Sequence, residues 1–139
     1  METFQTLLKQ NNLKATNQRL AILDVIEEMG HVTIDEITET VQKRLPTTAI
    51  GTIYKNIQQL VDAAILREVS IEGQKSRYET SKSSHIHFIC RECGSVTDYP
   101  VDTKKQFTDI CTKEGFALEA ESVNLYGVCS ACKSAQKSA

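Results

Sequence analysis

Apolar residues recur at the helical period along the first half of the chain. A short helix is predicted over residues 3–10. Over residues 17–29 the apolar positions follow the i, i+3, i+4, i+7 spacing and comprise Ile22, Val25, Ile26 and Met29. Thr16 is a suitable N-cap for this helix, and Gly30 is a suitable C-cap.

Two more helices are predicted downstream. Thr33 and Glu36 have the spacing of a capping box, and Pro46 ends the helix that they begin. Another helix follows an N-cap at Thr47 or Thr48, and its apolar stripe comprises Ile50, Ile53, Ile57, Leu60, Val61 and Ala64. Its opposite face is polar and has no acidic residue before Asp62; it comprises Thr48, Gly51, Thr52, Lys55 and Gln59, with Tyr54 on its flank.

A β-hairpin is predicted next, from segments 65–71 and 76–80 joined by a turn at 72–75. The last three of these helices, followed by the hairpin, are typical of a winged helix-turn-helix, in which the helix that follows Thr47 or Thr48 would enter the DNA major groove. The candidate phosphate contacts are Lys14, Arg19, Lys55 and Arg77, the candidate base contacts are Thr52 and Tyr54, and Thr48 lies on the same predicted face. The alternative is a small helical domain whose polar face is only solvated.

Composition allows one domain or two small ones, because the chain has 139 residues, 40% of them hydrophobic and 24% charged. No apolar run approaches the ~20 residues that cross a bilayer, and the first residues lack a signal core, so we expect a cytoplasmic protein with no membrane partner. The net charge is −2, and residues 1–80 carry nine basic and eleven acidic side chains. DNA binding therefore needs a local basic patch.

Two CxxC pairs dominate the second half: Cys90 with Cys93, and Cys129 with Cys132. Two such turns supply the four thiolates of a tetrahedral site that suits Zn²⁺, and a closed four-thiolate shell is structural because it leaves no open position. The alternative is buried thiols or a redox pair, which requires only one CxxC. The fifth cysteine, Cys111, is predicted to be a core residue within a helix over 103–114 and not a metal ligand.

A second group of donors precedes the first CxxC pair. His85 and His87 alternate on a predicted strand, HIHFIC, so both rings face one side while Cys90 faces the other. This parity favours two separate metal sites. Glu79, on the outgoing strand of the hairpin, and Asp98, on the next predicted strand (VTDY), are carboxylates that could join the histidines. A shell of nitrogen and oxygen donors suits Fe²⁺ or Mn²⁺. The alternative is that these are ordinary surface or core histidines.

Together these motifs resemble the ferric uptake regulator superfamily of bacterial metal-dependent repressors, over residues 10–132. The resemblance rests on the capped helix after Gly30-His31, residues 48–66 (TAIGTIYKNIQQLVDAAIL), the HIHFIC strand and the CxxC pairs. It implies an α+β protein, with a winged-helix DNA-binding domain at 1–80 and an α/β dimerisation and metal-binding domain at 81–139. It further implies a homodimer that binds double-stranded operator DNA and is not an enzyme.

The resemblance also assigns the ligands. Cys90, Cys93, Cys129 and Cys132 match the structural zinc cysteines; His31, His85, His87 and Asp98 match regulatory Fe²⁺ or Mn²⁺ ligands, and Glu79 occupies the remaining carboxylate position. In the peroxide-stress repressor branch, peroxide reacts at the bound iron, a histidine matching His31 or His85 is oxidised, and the operator is released. No small-molecule substrate other than peroxide is implied.

Within the superfamily the chain most resembles the peroxide-stress repressors, and four positions bear on this branch. Asp98 and Ser83-Ser84 are typical of the peroxide-stress repressors, whereas Glu79 stands where that branch usually has aspartate and so resembles the iron-sensing branch. The alternative function is therefore an iron-level-sensing repressor without peroxide sensitivity. An enzyme is the least favoured class, because the HxE and PCxxC signature of the zinc deaminases is missing.

Overall fold

A computed structural model describes residues 3–81 and 84–137, so Ser83 lies outside the described residues. The chain divides into two compact units, Met1–Ser81 and Lys82–Ala139. Within the described ranges, none of the helices combines the length and the apolarity needed to cross a membrane. The elements, in chain order, are α1 (Phe4–Gln10), α2 (Asn17–Met29), β1 (Val32–Thr33), α3 (Ile34–Arg44), α4 (Ile50–Asp62), β2 (Leu66–Val69), β3 (Arg77–Thr80), β4 (His85–Cys90), β5 (Val96–Pro100), α5 (Thr103–Lys113), β6 (Asn124–Gly127) and α6 (Ser130–Lys137). This mixture of helices and sheets confirms the predicted α+β class.

The N-terminal unit packs α1 to α4 and a small antiparallel sheet around one apolar core. The buried side chains come from every helix and from the sheet, and they include Leu8, Leu23, Ile26, Ile37, Val41, Ile53, Leu60 and Leu66. The sheet has the strand order β1-β3-β2. The predicted helices and the hairpin over β2 and β3 are confirmed.

The helix caps predicted at Thr16, Gly30 and Thr33 are present, whereas the one predicted for α4 is not. The Thr16 hydroxyl accepts from the Arg19 backbone N–H at 3.2 Å, and both halves of the Thr33–Glu36 capping box are present. Gly30 has φ +86°, a value that favours glycine. The N-cap of α4 is Ala49, which has no side-chain cap bond, so the prediction of Thr47 or Thr48 is wrong.

Three residues of the predicted apolar stripes are exposed: Met29, Ile50 and Ala64. Met29 is 45% exposed and Ile50 is 52% exposed. Met29 is the last residue of α2 and Ile50 is the first residue of α4, so both lie beyond the part of the helix that packs against the core. The assignment of Met29, Ile50 and Ala64 to the core is wrong; Ala64 lies beyond the end of α4, and the other stripe residues of the two helices are buried or partly buried.

The short strand β1 was not predicted. Its two residues pair antiparallel with β3, Val32 with Tyr78 and Thr33 with Arg77. A strand of this length has no hydrophobic period, because one alternation cannot be distinguished from a loop. Its pairing nevertheless sets the position of the residue before it, His31.

The C-terminal unit is a sheet with the strand order β5-β4-β6 and two helices. Strand β4 pairs antiparallel with β5 and parallel with β6. The prediction of β4, β5 and α5 is confirmed, whereas β6 and α6 were not predicted. Cys111 is only partly buried, so its predicted place in the core is wrong, and the adjacent Ile110 is 57% exposed.

The two isoleucines of α4 provide a matched test of the N-terminal core. Ile53 is 0% exposed, whereas Ile50 on the same helix is 52% exposed. We expect Ile53→Ala to lower the free energy of unfolding of this unit by about 2 to 5 kcal/mol, because it leaves a cavity. Ile50→Ala should change it by less than about 1 kcal/mol. Denaturant unfolding of both variants measures the difference, and equal losses would contradict this packing.

Candidate metal centres

The four cysteines of the CxxC pairs converge in the C-terminal unit; we call them the cysteine cluster. Their Sγ atoms all lie within 4.8 Å of one another, and those of Cys93 and Cys129 are 3.9 Å apart. Thiolates bound tetrahedrally at 2.3 Å from one Zn²⁺ would be about 3.8 Å apart. The donor chemistry and the spacing of the cluster therefore fit a closed metal site.

Backbone pairing brings the two CxxC turns together. Cys90 is the register partner of Gly127 in the parallel β4–β6 pair, and the Arg91 N–H donates to the Gly127 carbonyl at 2.8 Å. Gly94 closes the first turn at φ +76°, with its N–H bonded to the Cys90 carbonyl at 2.9 Å. Helix α6 starts directly after Cys129. The second turn is thereby held against the end of β4.

The charge distribution of the cysteine cluster also favours a cation. The backbone N–H groups of Cys129 and Cys93 lower the pKa of Cys90 to about 6. The side chain of Cys129, together with burial, raises the pKa of Cys132 well above its usual value. Four crowded thiols cannot all ionise side by side, and a divalent cation supplies the charge that lets them do so.

A second donor group in the same unit consists of His85, His87 and Asp98; we call it the C-terminal triad. The two histidines are 7% and 0% exposed, and their Nε2 atoms are 3.1 Å apart. Asp98 is the cross-strand partner of His87, and its Oδ1 lies 3.7 Å from His85 Nε2 and 3.8 Å from His87 Nε2. The predicted convergence of these three residues is present, with both rings on one face of β4.

The N-terminal unit holds a pair of donor residues, His31 and Glu79; we call it the N-terminal pair. His31 Nε2 lies 2.7 Å from Glu79 Oε2, and Glu79 is 0% exposed. The register Val32–Tyr78 explains this contact, because one residue further along the antiparallel pair His31 falls opposite Glu79. The second carboxylate oxygen, Oε1, lies 3.9 Å from Arg67 Nη1 on the neighbouring strand.

Hydrogen bonds fix the chain on both sides of the N-terminal pair. Arg77 Nη1 donates to the His31 carbonyl at 3.3 Å. Directly after Glu79, the Thr80 hydroxyl donates to Glu27 Oε2 at 2.7 Å. The Ser81 hydroxyl then donates to the Ala64 carbonyl at 2.7 Å, in the turn that follows α4. The last residues of this unit are thus tied to α2 and to the end of α4.

The predicted DNA contacts are distributed unevenly. Thr52, Tyr54 and Lys55 are exposed on α4, and Lys14 is exposed before α2. Arg77 is half-buried against His31. Thr48 is 7% exposed and precedes α4, so its predicted place on the outward face is wrong, because the helix starts later than expected.

Arg19 has a role in the structure that the sequence did not indicate. Its guanidinium donates to Asn56 Oδ1 at 3.2 Å, to Gln59 Oε1 at 2.7 Å and to the Lys14 carbonyl at 3.0 Å. Both side-chain acceptors lie on α4. Arg19 therefore positions the helix whose outer face was predicted to meet DNA.

Comparison with known proteins places this geometry in a family. Residues 10–126 match the model of the ferric uptake regulator family. The peroxide operon regulator of Bacillus subtilis (strain 168) is 31% identical over 135 residues, which are 94% of this chain and 91% of that protein. The chain belongs to the ferric uptake regulator family, whose members are metal-responsive transcriptional regulators and not enzymes.

Two solved structures support the same assignment. The Campylobacter jejuni peroxide stress regulator has a TM-score of 0.77 and 32% identity, and the match covers 95% of this chain and 100% of that one. The Vibrio cholerae ferric uptake regulator has a TM-score of 0.73 and 30% identity, with 91% and 100% coverage. Both the peroxide-stress and the iron-uptake branches are thus represented among the similar structures.

The five cysteines allow a matched test of the cysteine cluster. We expect Cys129→Ser to abolish tight zinc binding and to unfold the C-terminal unit, because metal affinity in such a site is folding free energy. Cys111→Ser is the control, since Cys111 is not a member of the cluster. Zinc per chain and thermal unfolding of the two variants measure the effect. A folded, zinc-containing Cys129→Ser protein would contradict the assignment.

Proposed function

We propose that the protein is a metal-dependent DNA-binding transcriptional repressor that senses peroxide through oxidation of a ligand histidine and then releases its operator. The observation that carries this proposal is the presence of two chemically different donor sets in one chain of this family. The cysteine cluster offers only thiolates, whereas the N-terminal pair and the C-terminal triad offer only nitrogen and oxygen. These sets suit different ions and different tasks.

In this proposal the cysteine cluster holds Zn²⁺ as a structural ion. All four ligand positions are taken by protein sulfurs, so no position is open to a substrate or to an exchangeable ligand. The cluster joins the end of β4 to the turn before α6, and a firmly bound ion there would stabilise the C-terminal unit.

The regulatory ion is proposed to take both the N-terminal pair and the C-terminal triad as ligands. The N-terminal pair offers two ligand residues and the C-terminal triad offers three. Neither group alone therefore fills the coordination shell of Fe²⁺ or Mn²⁺. Using both sets for one ion would couple the two units, since the ion's binding free energy would favour the arrangement that supplies all five ligands. That arrangement is the proposed DNA-binding state.

The hydrogen bonds around the N-terminal pair connect it to α4, so metal binding at the pair could change the position of that helix. Glu79 is followed by Thr80 and Ser81, which are bonded to α2 and to the turn after α4. A displacement of Glu79 would therefore be passed to α4 through short hydrogen-bonded steps. Arg19 on α2 also connects the two helices, because its guanidinium donates to Asn56 and Gln59 on α4.

The sensing step is proposed to alter His31 or His85. The oxidised imidazole would supply both electrons that reduce hydrogen peroxide, and Fe²⁺ bound at the site would supply the redox catalysis with no net change in its oxidation state. In the balanced reaction one oxygen atom of peroxide enters an imidazole ring and the other leaves as water. The resulting 2-oxo-histidine is a weaker ligand, so the regulatory ion would dissociate and the coupling between the units would end.

The protein is proposed to act as a homodimer in the cytoplasm. Six large apolar side chains in the described part of the C-terminal unit are at least 43% exposed: Phe88, Tyr99, Ile110, Phe116, Leu125 and Val128. Phe88 is the register partner of Leu125, and its ring centroid lies 6.0 Å from that of Tyr99, so part of this set is contiguous, as at an interaction site. A symmetric dimer would present two copies of α4 to an operator with two half-sites.

An iron-level sensor is the second candidate, and Glu79 favours it. A glutamate is one methylene longer than aspartate, which shifts the carboxylate relative to the strand and changes whether the ion keeps an open coordination position. The exposed polar face of α4 and the cysteine cluster serve this function equally well. The two candidates therefore differ only in the response to peroxide.

Peroxide treatment of the Fe²⁺-loaded protein tests the sensing step. We expect a mass increase of about 16 Da on the peptide containing His31 or His85, accompanied by loss of operator binding, because one oxygen atom is added to the ring. The Mn²⁺-loaded protein is the control and should respond weakly. Peptide mass spectrometry and binding to a duplex selected from a random-sequence pool provide the two measurements.

The variant Glu79→Asp separates the two candidates in the same assay. Wild-type operator binding that survives peroxide, with both peptides unmodified, would contradict the sensing proposal. If Glu79→Asp then acquires the modification, the protein is an iron-level sensor and the carboxylate length accounts for the difference.

Lys55 tests the proposed DNA contact of α4. We expect Lys55→Ala to weaken binding to the selected duplex and to reduce the salt slope by about one unit, because the lysine would no longer neutralise a phosphate. Lys113→Ala, which removes an exposed lysine from α5, is the matched control and should leave the slope unchanged. Arg19→Ala is less informative, because it also removes the bonds to α4. An unchanged slope for Lys55→Ala would exclude this contact.

A further inference from the structure

Asn124 lies beside the most deeply buried ring of the C-terminal triad. It is the first residue of β6 and the register partner of His87 in the parallel β4–β6 pair. Its side-chain Oδ1 lies 3.1 Å from His87 Nδ1, and the ring is 0% exposed. The Val123 carbonyl also accepts from the His87 backbone N–H at 3.0 Å, which holds the two strands together at this point.

The far side of the Asn124 amide has its own neighbour. Asn124 Nδ2 lies 3.5 Å from the hydroxyl oxygen of Tyr126, which can accept from it. The ring of Tyr126 is in turn covered by the guanidinium of Arg91, at 4.9 Å from the ring centroid. With the nitrogen directed to Tyr126, the amide presents its oxygen to His87.

This orientation decides which nitrogen of His87 carries the proton. A neutral imidazole has one N–H, and an amide oxygen can only accept, so the proton lies on Nδ1. The lone pair is then on Nε2, the atom that faces His85 Nε2 and Asp98 Oδ1. An NH₂ group in place of the oxygen would put the proton on Nε2 and prevent that atom from binding a metal.

We propose that Asn124 is a positioning residue for the regulatory metal, acting through His87 by fixing the ring tautomer in which Nε2 carries the lone pair that can bind a metal. The proposal rests on the proposed function of the C-terminal triad and adds to it a residue outside the ligand set. Partners of this kind, bonded to the second nitrogen of a ligand histidine, contribute about 10- to 100-fold to metal affinity in other sites.

Two variants of the same size separate positioning from folding. Asn124→Leu removes the acceptor, and Asn124→Asp keeps an acceptor at the same distance from the backbone. We expect the Kd for Mn²⁺ of the zinc-loaded protein to rise about 10- to 100-fold in Asn124→Leu. In Asn124→Asp we expect it to equal the wild-type value or to fall, because a carboxylate is the stronger acceptor. Zinc content and thermal unfolding should be the same in all three proteins.

The tautomer can be observed directly in the zinc-loaded protein before Mn²⁺ is added. Two-bond ¹H–¹⁵N correlations of the imidazole rings distinguish a protonated Nδ1 from a protonated Nε2. The chain has three histidines, so the His87 signals can be assigned by comparison with His31→Ala and His85→Ala. We expect the proton on Nδ1 in wild type and in Asn124→Asp, and a changed pattern in Asn124→Leu.

Failure of this inference is distinct from failure of the proposed function. Wild-type protein that binds Mn²⁺ while carrying the His87 proton on Nε2 would overturn the role of Asn124 alone. Equal losses of affinity in Asn124→Leu and Asn124→Asp would also overturn it, because they would show a purely structural effect. Wild-type protein that binds zinc but no Mn²⁺ would instead overturn the regulatory site.

Discussion

The parallel pairing of β4 with β6 is the constraint on which the C-terminal unit depends. One register places Cys90 beside Gly127 and His87 beside Asn124. The first match brings the two CxxC turns together, and the second gives a buried histidine its acceptor. A shift of one residue would disrupt both arrangements at once, because strand side chains alternate between faces. A metal ion bound by the cysteine cluster would thus also secure the register of the C-terminal triad.

The N-terminal unit depends in a similar way on a single short pairing. Strand β1 has only two residues, yet its pairing with β3 sets His31 opposite Glu79. The preceding Gly30 supplies the positive φ that turns the chain out of α2 into this strand. A buried carboxylate needs a partner, and the imidazole and the Arg67 guanidinium both face it. The pair is therefore held in place by backbone pairing as much as by its own contact.

The sequence predicted what depends on local chemistry and missed what depends on pairing. The capping box at Thr33, the helical stripes and the alternation of His85 and His87 are local signals, and the structure contains them apart from the stripe residues at the helix ends. Strands β1 and β6 are too short for a detectable period, so the contacts that they create could not be derived. The residues alone therefore gave no reason to join His31 to Glu79, and Asn124 carried no signal because only a parallel partner strand brings it to His87.

The bonds that follow Glu79 determine how stiff the end of the N-terminal unit is. Thr80 is hydrogen-bonded to Glu27, and Ser81 is hydrogen-bonded to the turn after α4. These bonds restrict the backbone between the buried carboxylate and the boundary of the unit. A flexible segment would absorb a small displacement by changing its own conformation, whereas a segment restrained by hydrogen bonds transmits the displacement. We therefore expect the N-terminal unit to move as one rigid body when the Glu79 carboxylate is displaced.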